Sequence, residues 1–235
     1  MKKNIGIIGN GYVGNAVFQK FRQFYNVYTY DLKPSLANSS LDKLKKRCRI
    51  IFICVPTPMN SDGTCDSTIV EGVLSYLNKA KEVIAVNKST VSPGTTEKFN
   101  KKFKNLQVVY NPEFLTERNA NYDFINPQIL VIGGSKSDCE YVKKIHDENS
   151  ICNECPVFFT DVYTASLVKY TLNAFLATKV LFMNDIYKIF HTTDTSSNWD
   201  DFTNILQTDP RMGSSHLKVP GPDGKLGFGG ACFPK

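Results

Sequence analysis

The residues able to do chemistry begin close to the N-terminus. Gly9-Asn10-Gly11-Tyr12-Val13-Gly14 spaces its glycines as G-x-G-x-x-G, and Asp31 follows 17 residues after Gly14. That spacing suits a dinucleotide: Gly9 permits a tight turn, Gly11 lets the backbone approach a pyrophosphate, and Gly14 lets helix and strand pack closely. The N–H groups and dipole of a helix opening at Tyr12 and Val13 would attract the phosphates. Asp31 would accept hydrogen bonds from the adenosine ribose and repel a 2′-phosphate, which favours NAD over NADP; nearby Lys33 softens that preference.

Further candidates follow along the chain. Pro56 and Thr57 in Val55-Pro56-Thr57-Pro58, and Ser89 and Thr90 in Lys88-Ser89-Thr90-Val91, sit just past two apolar runs. In an open α/β sheet such strand ends form the ligand crevice, although Pro, Ser and Thr are also ordinary turn residues. Glu113 and Glu117 are spaced i,i+4, so a helical turn there would put both carboxylates on one side; a pair of surface charges is the plain alternative. Lys169 and Asn173 repeat that spacing within a small or polar stripe of Ser166, Lys169, Asn173 and Ala177. An ammonium and an amide aimed together at a reacting oxygen stabilise negative charge; a solvated helix face would look the same. Cys232 lies between Gly229-Gly230 and Phe233-Pro234, with Lys235 close by. A cationic neighbour depresses a thiol's pKa and makes a nucleophilic thiolate, though a structural cysteine fits as well.

Elements able to position these residues are legible. Strands are expected at Asn4–Ile8, Asn26–Tyr30, Ile50–Val55, Val83–Asn87, Gln107–Tyr110, Ile129–Gly133 and Val157–Phe159. Helices are expected near Val13–Phe24, Leu41–Lys46, Thr68–Lys79, Thr95–Phe103 and Lys136–His146. This alternation predicts a Rossmann-like α/β fold with a doubly wound, mainly parallel sheet over residues 1–160. From Asp161 to Phe190 there is no Gly or Pro, and Val168, Leu172, Phe175, Phe182 and Ile186 recur at helical spacing. One long helix is expected, then a short one near Asp200–Gln207 and a Gly/Pro/Ser-rich tail. Residues 161–235 would thus form a long helix followed by a small helical and loop segment suited to dimerisation.

Composition narrows the class. Hydrophobic residues make up 42% and charged residues 21% of 235 residues, which argues against a disordered or fibrous chain. The net charge of +6 suits an anionic ligand but lacks the dense basic stripe of a nucleic-acid binder. Tyr25, Tyr28 and Tyr30 near Arg22 and Lys33 are better explained by alternation on a strand. No stretch reaches the roughly 18 apolar residues of a membrane span, and Gly6, Gly9, Gly11 and Gly14 break any signal-peptide reading of the start. Seven cysteines, an odd number with Cys54 in an apolar run, point to reduced thiols and a cytoplasmic protein. Cys152-Asn153-Glu154-Cys155 with Cys139 and His146 matches no common zinc spacing, so no metal is expected.

Together, Gly9–Gly14, Val55-Pro56-Thr57-Pro58, Lys88-Ser89-Thr90, Asn111-Pro112-Glu113-Phe114-Leu115-Thr116-Glu117, Lys169 with Asn173, Asp209-Pro210-Arg211-Met212-Gly213 and Gly227–Lys235 occur in the order seen in the UDP-glucose/GDP-mannose dehydrogenase family. The chain resembles that family, and its UDP-glucose 6-dehydrogenase branch most closely, from the first strand to the last residue. The resemblance implies a four-electron oxidation of a nucleotide sugar at C6, with two NAD reduced, as in UDP-glucuronate and polysaccharide biosynthesis. It implies that Cys232 captures the C6 aldehyde as a thiohemiacetal that becomes a thioester. Lys169 and Asn173 would hold the C6 oxygen. Glu117 would serve acid–base work beside the cofactor, Thr90 would position a water, and Glu113 would support the same centre. Phe114, Leu115, Phe228 and Gly229 would cradle the sugar. Lys235 would follow the nucleophile, and Arg211 would reach the substrate of a neighbouring subunit in a homodimer built through the long helix.

Family members continue after Pro-Lys with a catalytic aspartate and a C-terminal substrate domain, both beyond the residues of this sequence. Two other readings therefore stand beside the dehydrogenase: an inactive NAD-binding and dimerisation module, and a Rossmann-type dehydrogenase of small hydroxy acids. Cys232 in its glycine-rich setting argues against the last, because simple alcohol oxidation needs no covalent thiol.

Overall fold

A computed structural model describes residues 2–80, 82–147, 153–230 and 233. Seven strands form one sheet: β1 (Asn4–Ile8), β2 (Asn26–Tyr30), β3 (Ile50–Ile53), β4 (Val83–Asn87), β5 (Leu106–Tyr110), β6 (Leu130–Gly133) and β7 (Val157–Thr160). Their order is β2-β1-β3-β4-β5-β6-β7, and every neighbouring pair is parallel except β5 with β6. The chain leaves β1 in one direction and returns to its other side as β3, so the strand order reverses between β1 and β3. In open α/β sheets, ligands bind at the carboxyl ends of the strands beside such a reversal.

Helices cover both faces, which is why β3 reads as an unbroken apolar run and β4 as one up to its last residue, Asn87. Ile50 and Phe52 turn to one side, against Val17 and Phe21 of α1 (Tyr12–Phe21), Phe124 of α5 (Ala120–Ile125) and Val142 and Ile145 of α6 (Lys136–Asp147). Ile51 and Ile53 turn to the other, against Leu44 of α2 (Leu41–Arg47), Leu74 of α3 (Thr68–Leu77) and Phe99 of α4 (Thr95–Lys102). The period-2 alternation of a strand builds both cores at once.

Register brings the strand ends into line. Ile8 pairs with Tyr30 and Ile53, Ile53 with Asn87, and Asn87 with Tyr110. Gly9, Asp31, Cys54, Lys88 and Asn111 therefore leave the sheet along one edge.

Helix α7 runs from Val162 to Thr192, 31 residues, close to the expected Asp161–Phe190. Asp161 caps its start, accepting from the Thr164 N–H at 2.8 Å and the Thr164 hydroxyl at 2.6 Å. Two compact units divide at residues 170 and 171, so the helix begins in the first and continues in the second. Within the second unit, Asn198 caps α8 (Trp199–Leu206) through the Asp201 N–H at 2.8 Å. Met183, Leu217 and Val219 make a small core there with Tyr187, Trp199 and Leu206. Among the described residues, no helix is long and apolar enough to cross a membrane.

Two local expectations change. The segment 111–116 is not helical, and helical geometry begins with a 3-10 turn at Glu117–Asn119. Glu113 and Glu117 therefore do not share a helix face. The sequence also gave no sign of α5, which is only six residues long.

Candidate active site

The glycine-rich turn has the geometry its spacing implied. Gly9 has φ +85°, and a Cβ there would lie 2.5 Å from the Cys54 carbonyl oxygen; one on Gly14 would lie 1.9 Å from the carbonyl oxygen of Gly9. A Cβ on Gly11 would meet nothing within 4 Å. So Gly9 and Gly14 close the turn against β3 and α1, while Gly11 faces open space where a diphosphate can approach. Gly11 is also the N-cap of α1, no side chain caps the helix, and its first turn holds no acid. Its N–H groups and positive dipole end are left for an anion.

Asp31 braces this turn. Its Oδ2 accepts from the Asn10 N–H at 2.7 Å and its Oδ1 from the Lys33 N–H at 2.9 Å. Each oxygen keeps a lone pair for a ribose hydroxyl. Tyr12 and Lys33 are exposed, and Val13 is half-buried. These residues fit the adenosine diphosphate half of NAD.

Along the same edge, Ser89 ties two loops together: its hydroxyl donates to the Val55 carbonyl at 2.7 Å, and its N–H donates to Asn87 Oδ1 at 3.1 Å. Thr57, Ser89 and Thr90 are buried, while Pro56 is exposed. The Thr90 carbonyl accepts from the Cys65 thiol at 3.4 Å.

The centre of the edge is charged and dry. Lys169, on α7, donates to the Glu113 carbonyl at 2.5 Å and to Glu113 Oε1 at 3.2 Å, and Glu113 Oε2 accepts from the Leu115 N–H at 2.6 Å. The ammonium also stands 5.3 Å from the centroid of the Phe114 ring. An ammonium has three N–H donors, and Glu113 takes two. Neither Lys169 nor Glu113 is the solvated surface charge that the sequence also allowed.

Sequence reasoning missed a second lysine. Lys88, at the end of β4, donates to the carbonyl and to Oδ1 of Asn111 at 3.1 and 3.0 Å, and Asn111 Nδ2 donates to the Val131 carbonyl at 2.8 Å. This clamp fixes the loop leading to Glu113. Burial lowers the Lys88 ammonium to about 8, with Lys20 and Lys169 adding to the shift and Glu113 opposing it. Burial pushes the neighbouring Cys54 thiol up to about 12, which keeps it protonated and inert. The available signal was a Lys separated only by Asn87 from the apolar run Val83–Val86.

In the second unit, Asn173 lies on α7 four residues after Lys169, is half-buried, and its side chain hydrogen-bonds to none of the described residues. Asn184, also unforeseen, accepts from the Gly227 N–H at 2.9 Å and holds the start of the glycine loop to α7. Lys179 donates to the carbonyls of Met212 and Ser215, both at 2.6 Å. Arg211 is exposed and folds back on Asp209, with Nη2 2.5 Å from Oδ2. Phe228 is partly exposed, and Gly229 has open space around it. Cys232, Lys235, Cys152 and the side chain of Glu117 lie outside the described residues. Among the described residues no group of His, Cys, Asp and Glu could hold a metal ion.

The doubly wound sheet and the glycine-rich cradle define a dinucleotide-binding α/β protein of the dehydrogenase type. Two family models match this chain: the NAD-binding domain of the UDP-glucose/GDP-mannose dehydrogenase family over residues 35–149, and the central domain of the same family over residues 163–235. The chain belongs to the UDP-glucose/GDP-mannose dehydrogenase family, as its motifs implied, and NAD is its cofactor. It is 32% identical to UDP-glucose 6-dehydrogenase TuaD of Bacillus subtilis, covering 99% of this chain and 57% of that one. It is 33% identical to UDP-glucose 6-dehydrogenase of Rickettsia bellii, covering 81% and 44%. The chain thus spans about half the length of these relatives. Among solved structures, a UDP-glucose dehydrogenase from Pyrobaculum islandicum superposes with a TM-score of 0.83 at 26% identity, over 100% of this chain and 62% of the other.

Proposed function

We propose that the protein takes part in NAD-dependent oxidation of a nucleotide sugar at C6 to the uronic acid, with UDP-glucose as the substrate. The observation that carries this reading is the buried Lys169–Glu113 pair at the same end of the sheet as the dinucleotide cradle. An alcohol losing a proton and a hydride passes through an oxyanion. A fixed ammonium with one unspent N–H is the group that stabilises it. Bound NAD supplies the hydride acceptor.

The chain's own residues supply the rest. Lys169 and Asn173 hold the C6 oxygen, Glu113 keeps the ammonium aimed, and Phe114, Leu115, Phe228 and Gly229 shape the sugar site. Cys232 adds its sulfur to the C6 aldehyde and its proton to the oxygen, giving a thiohemiacetal. Loss of a second hydride and a proton leaves a thioester, which water hydrolyses to the carboxylate and the free thiol. Thr90 orients that water and Glu117 relays its proton. Lys235 and Arg211 contact the substrate, Arg211 from a second subunit of a homodimer. The apolar side chains that α7 leaves exposed, among them Leu167, Phe175, Phe182 and Ile189, support that pairing.

The test is NADH production by the whole chain with UDP-glucose and, separately, GDP-mannose. Two NADH per uronic acid are expected with UDP-glucose, and Cys232→Ser should stop acid formation. NAD binding without NADH from either sugar would leave an NAD-binding module and end the oxidation reading. Full four-electron turnover by the serine variant would end the thioester role.

A further inference from the structure

A pocket of about 310 Å³ opens beside the first turn of α1, lined by Tyr12 and Asn15 of that turn and by Arg118, Asn119, Asn121 and Tyr122. Its far wall is the 3-10 turn Glu117–Asn119 and the α5 helix that follows, and α5 packs directly against α1. The two walls are therefore held in fixed relation. Arg118 is exposed, and among the described residues it has no hydrogen bond or ion pair. No acid stands in the first turn of α1 to neutralise it. Tyr12 and Tyr122, 63% and 69% exposed, form an aromatic rim.

The lining residue Tyr12 directly follows Gly11, the helix-capping glycine with open space where a Cβ would stand. A guanidinium presents parallel N–H donors that match phosphate oxygens in a way a point charge does not. We propose that Arg118 binds the diphosphate of the dinucleotide across this pocket, completing from the α5 side the anion site that α1 opens with its backbone N–H groups. The role rests on the dinucleotide reading of the Gly9–Gly14 turn. It adds a cofactor-positioning residue that lies outside the glycine-rich pattern, directly after Glu117 in sequence.

The test is equilibrium binding to the whole chain of NAD, ADP-ribose and adenosine, with Arg118→Ala and Arg118→Lys compared with the unaltered protein. A charge-assisted hydrogen bond predicts that Arg118→Ala weakens NAD and ADP-ribose alike, by roughly 10- to 100-fold, and leaves adenosine unchanged. Arg118→Lys should recover part of the loss. The deficit should shrink as salt shortens the Debye length from about 10 Å toward about 3 Å. Unchanged NAD and ADP-ribose affinity in Arg118→Ala would overturn the role, as would an equal loss for adenosine. If the unaltered protein binds neither NAD nor ADP-ribose, the glycine-turn reading itself fails and the Arg118 role goes with it. That result is distinct from the others, in which the unaltered protein binds both.

Discussion

Lys169 reaches across 56 residues of sequence to donate to both the backbone carbonyl and the carboxylate of Glu113, and the two side chains are only 4% and 7% exposed. Removing either partner has separable consequences. Lys169→Ala leaves a buried carboxylate with the Leu115 N–H as its remaining partner, which should destabilise the fold by about 3–5 kcal/mol. Glu113→Gln keeps an oxygen to accept from Lys169 and should lose less, about 1–3 kcal/mol. Losing the ammonium should also lower turnover about 10²- to 10³-fold, while NAD affinity stays in place. Denaturant midpoints, steady-state kinetics and NAD titration read these effects separately. Unaltered turnover in Lys169→Ala would show that its N–H does not face the reacting oxygen.

Two glycines of one turn should behave oppositely. Gly11→Ala adds a methyl into open space at a backbone position with negative φ, so thermal stability should not change. The methyl enters the path of the diphosphate, and NAD affinity should fall by roughly tenfold or more, about 1.4 kcal/mol per tenfold step. Gly14→Ala drives its Cβ into the Gly9 carbonyl. It should lower the melting temperature, with an overpacking penalty of about 1–3 kcal/mol before any ligand is added. A Gly11→Ala protein that binds NAD normally would argue that the phosphates do not pass this position.

Much of this architecture was legible because each signal was local. Ile50–Ile53 is apolar at every position, and the Gly9–Gly14 turn carries local needs, a positive φ at Gly9 and a carbonyl five residues back that a Cβ on Gly14 would strike. The Lys88–Asn111 clamp was not legible, because it depends on β4 pairing with β5 in the register that sets Asn87 beside Tyr110. Helix α7 misleads by periodicity. Ser166 and Lys169 of its polar stripe are buried, whereas Leu167 is 46% and Phe175 62% exposed. Apolar spacing marks the core side of most helices, but here Ser166 and Lys169 are turned inward while Leu172, Phe175 and Phe182 of the apolar series are exposed. Glu113 and Glu117 looked paired only on the assumption of a helix that begins too late to include Glu113.

His146 supplies a pH-dependent test of the core. Its Nδ1 lies 3.1 Å from Lys20 Nζ, so Nδ1 is the acceptor and the ring proton sits on Nε2, which is buried without a hydrogen-bond partner among the described residues. The rings of Phe21, Phe52 and Phe124 surround it at 5.6, 6.2 and 6.3 Å. Burial, with Lys20 and Lys88 adding to it, holds its pKa well below the ordinary 6.5. The folded chain thus keeps His146 neutral, while the unfolded chain takes up a proton once the pH drops below about 6.5. The unfolded state then binds more protons, so stability falls with falling pH by about 1.4 kcal/mol per unit from this group. His146→Gln retains an acceptor for Lys20 and cannot titrate. Denaturant unfolding at several pH values from neutral down to about 5 should show a shallower loss in the variant than in the unaltered protein, the difference opening below about 6.5. Parallel curves for the two proteins would mean that His146 is protonated inside the fold.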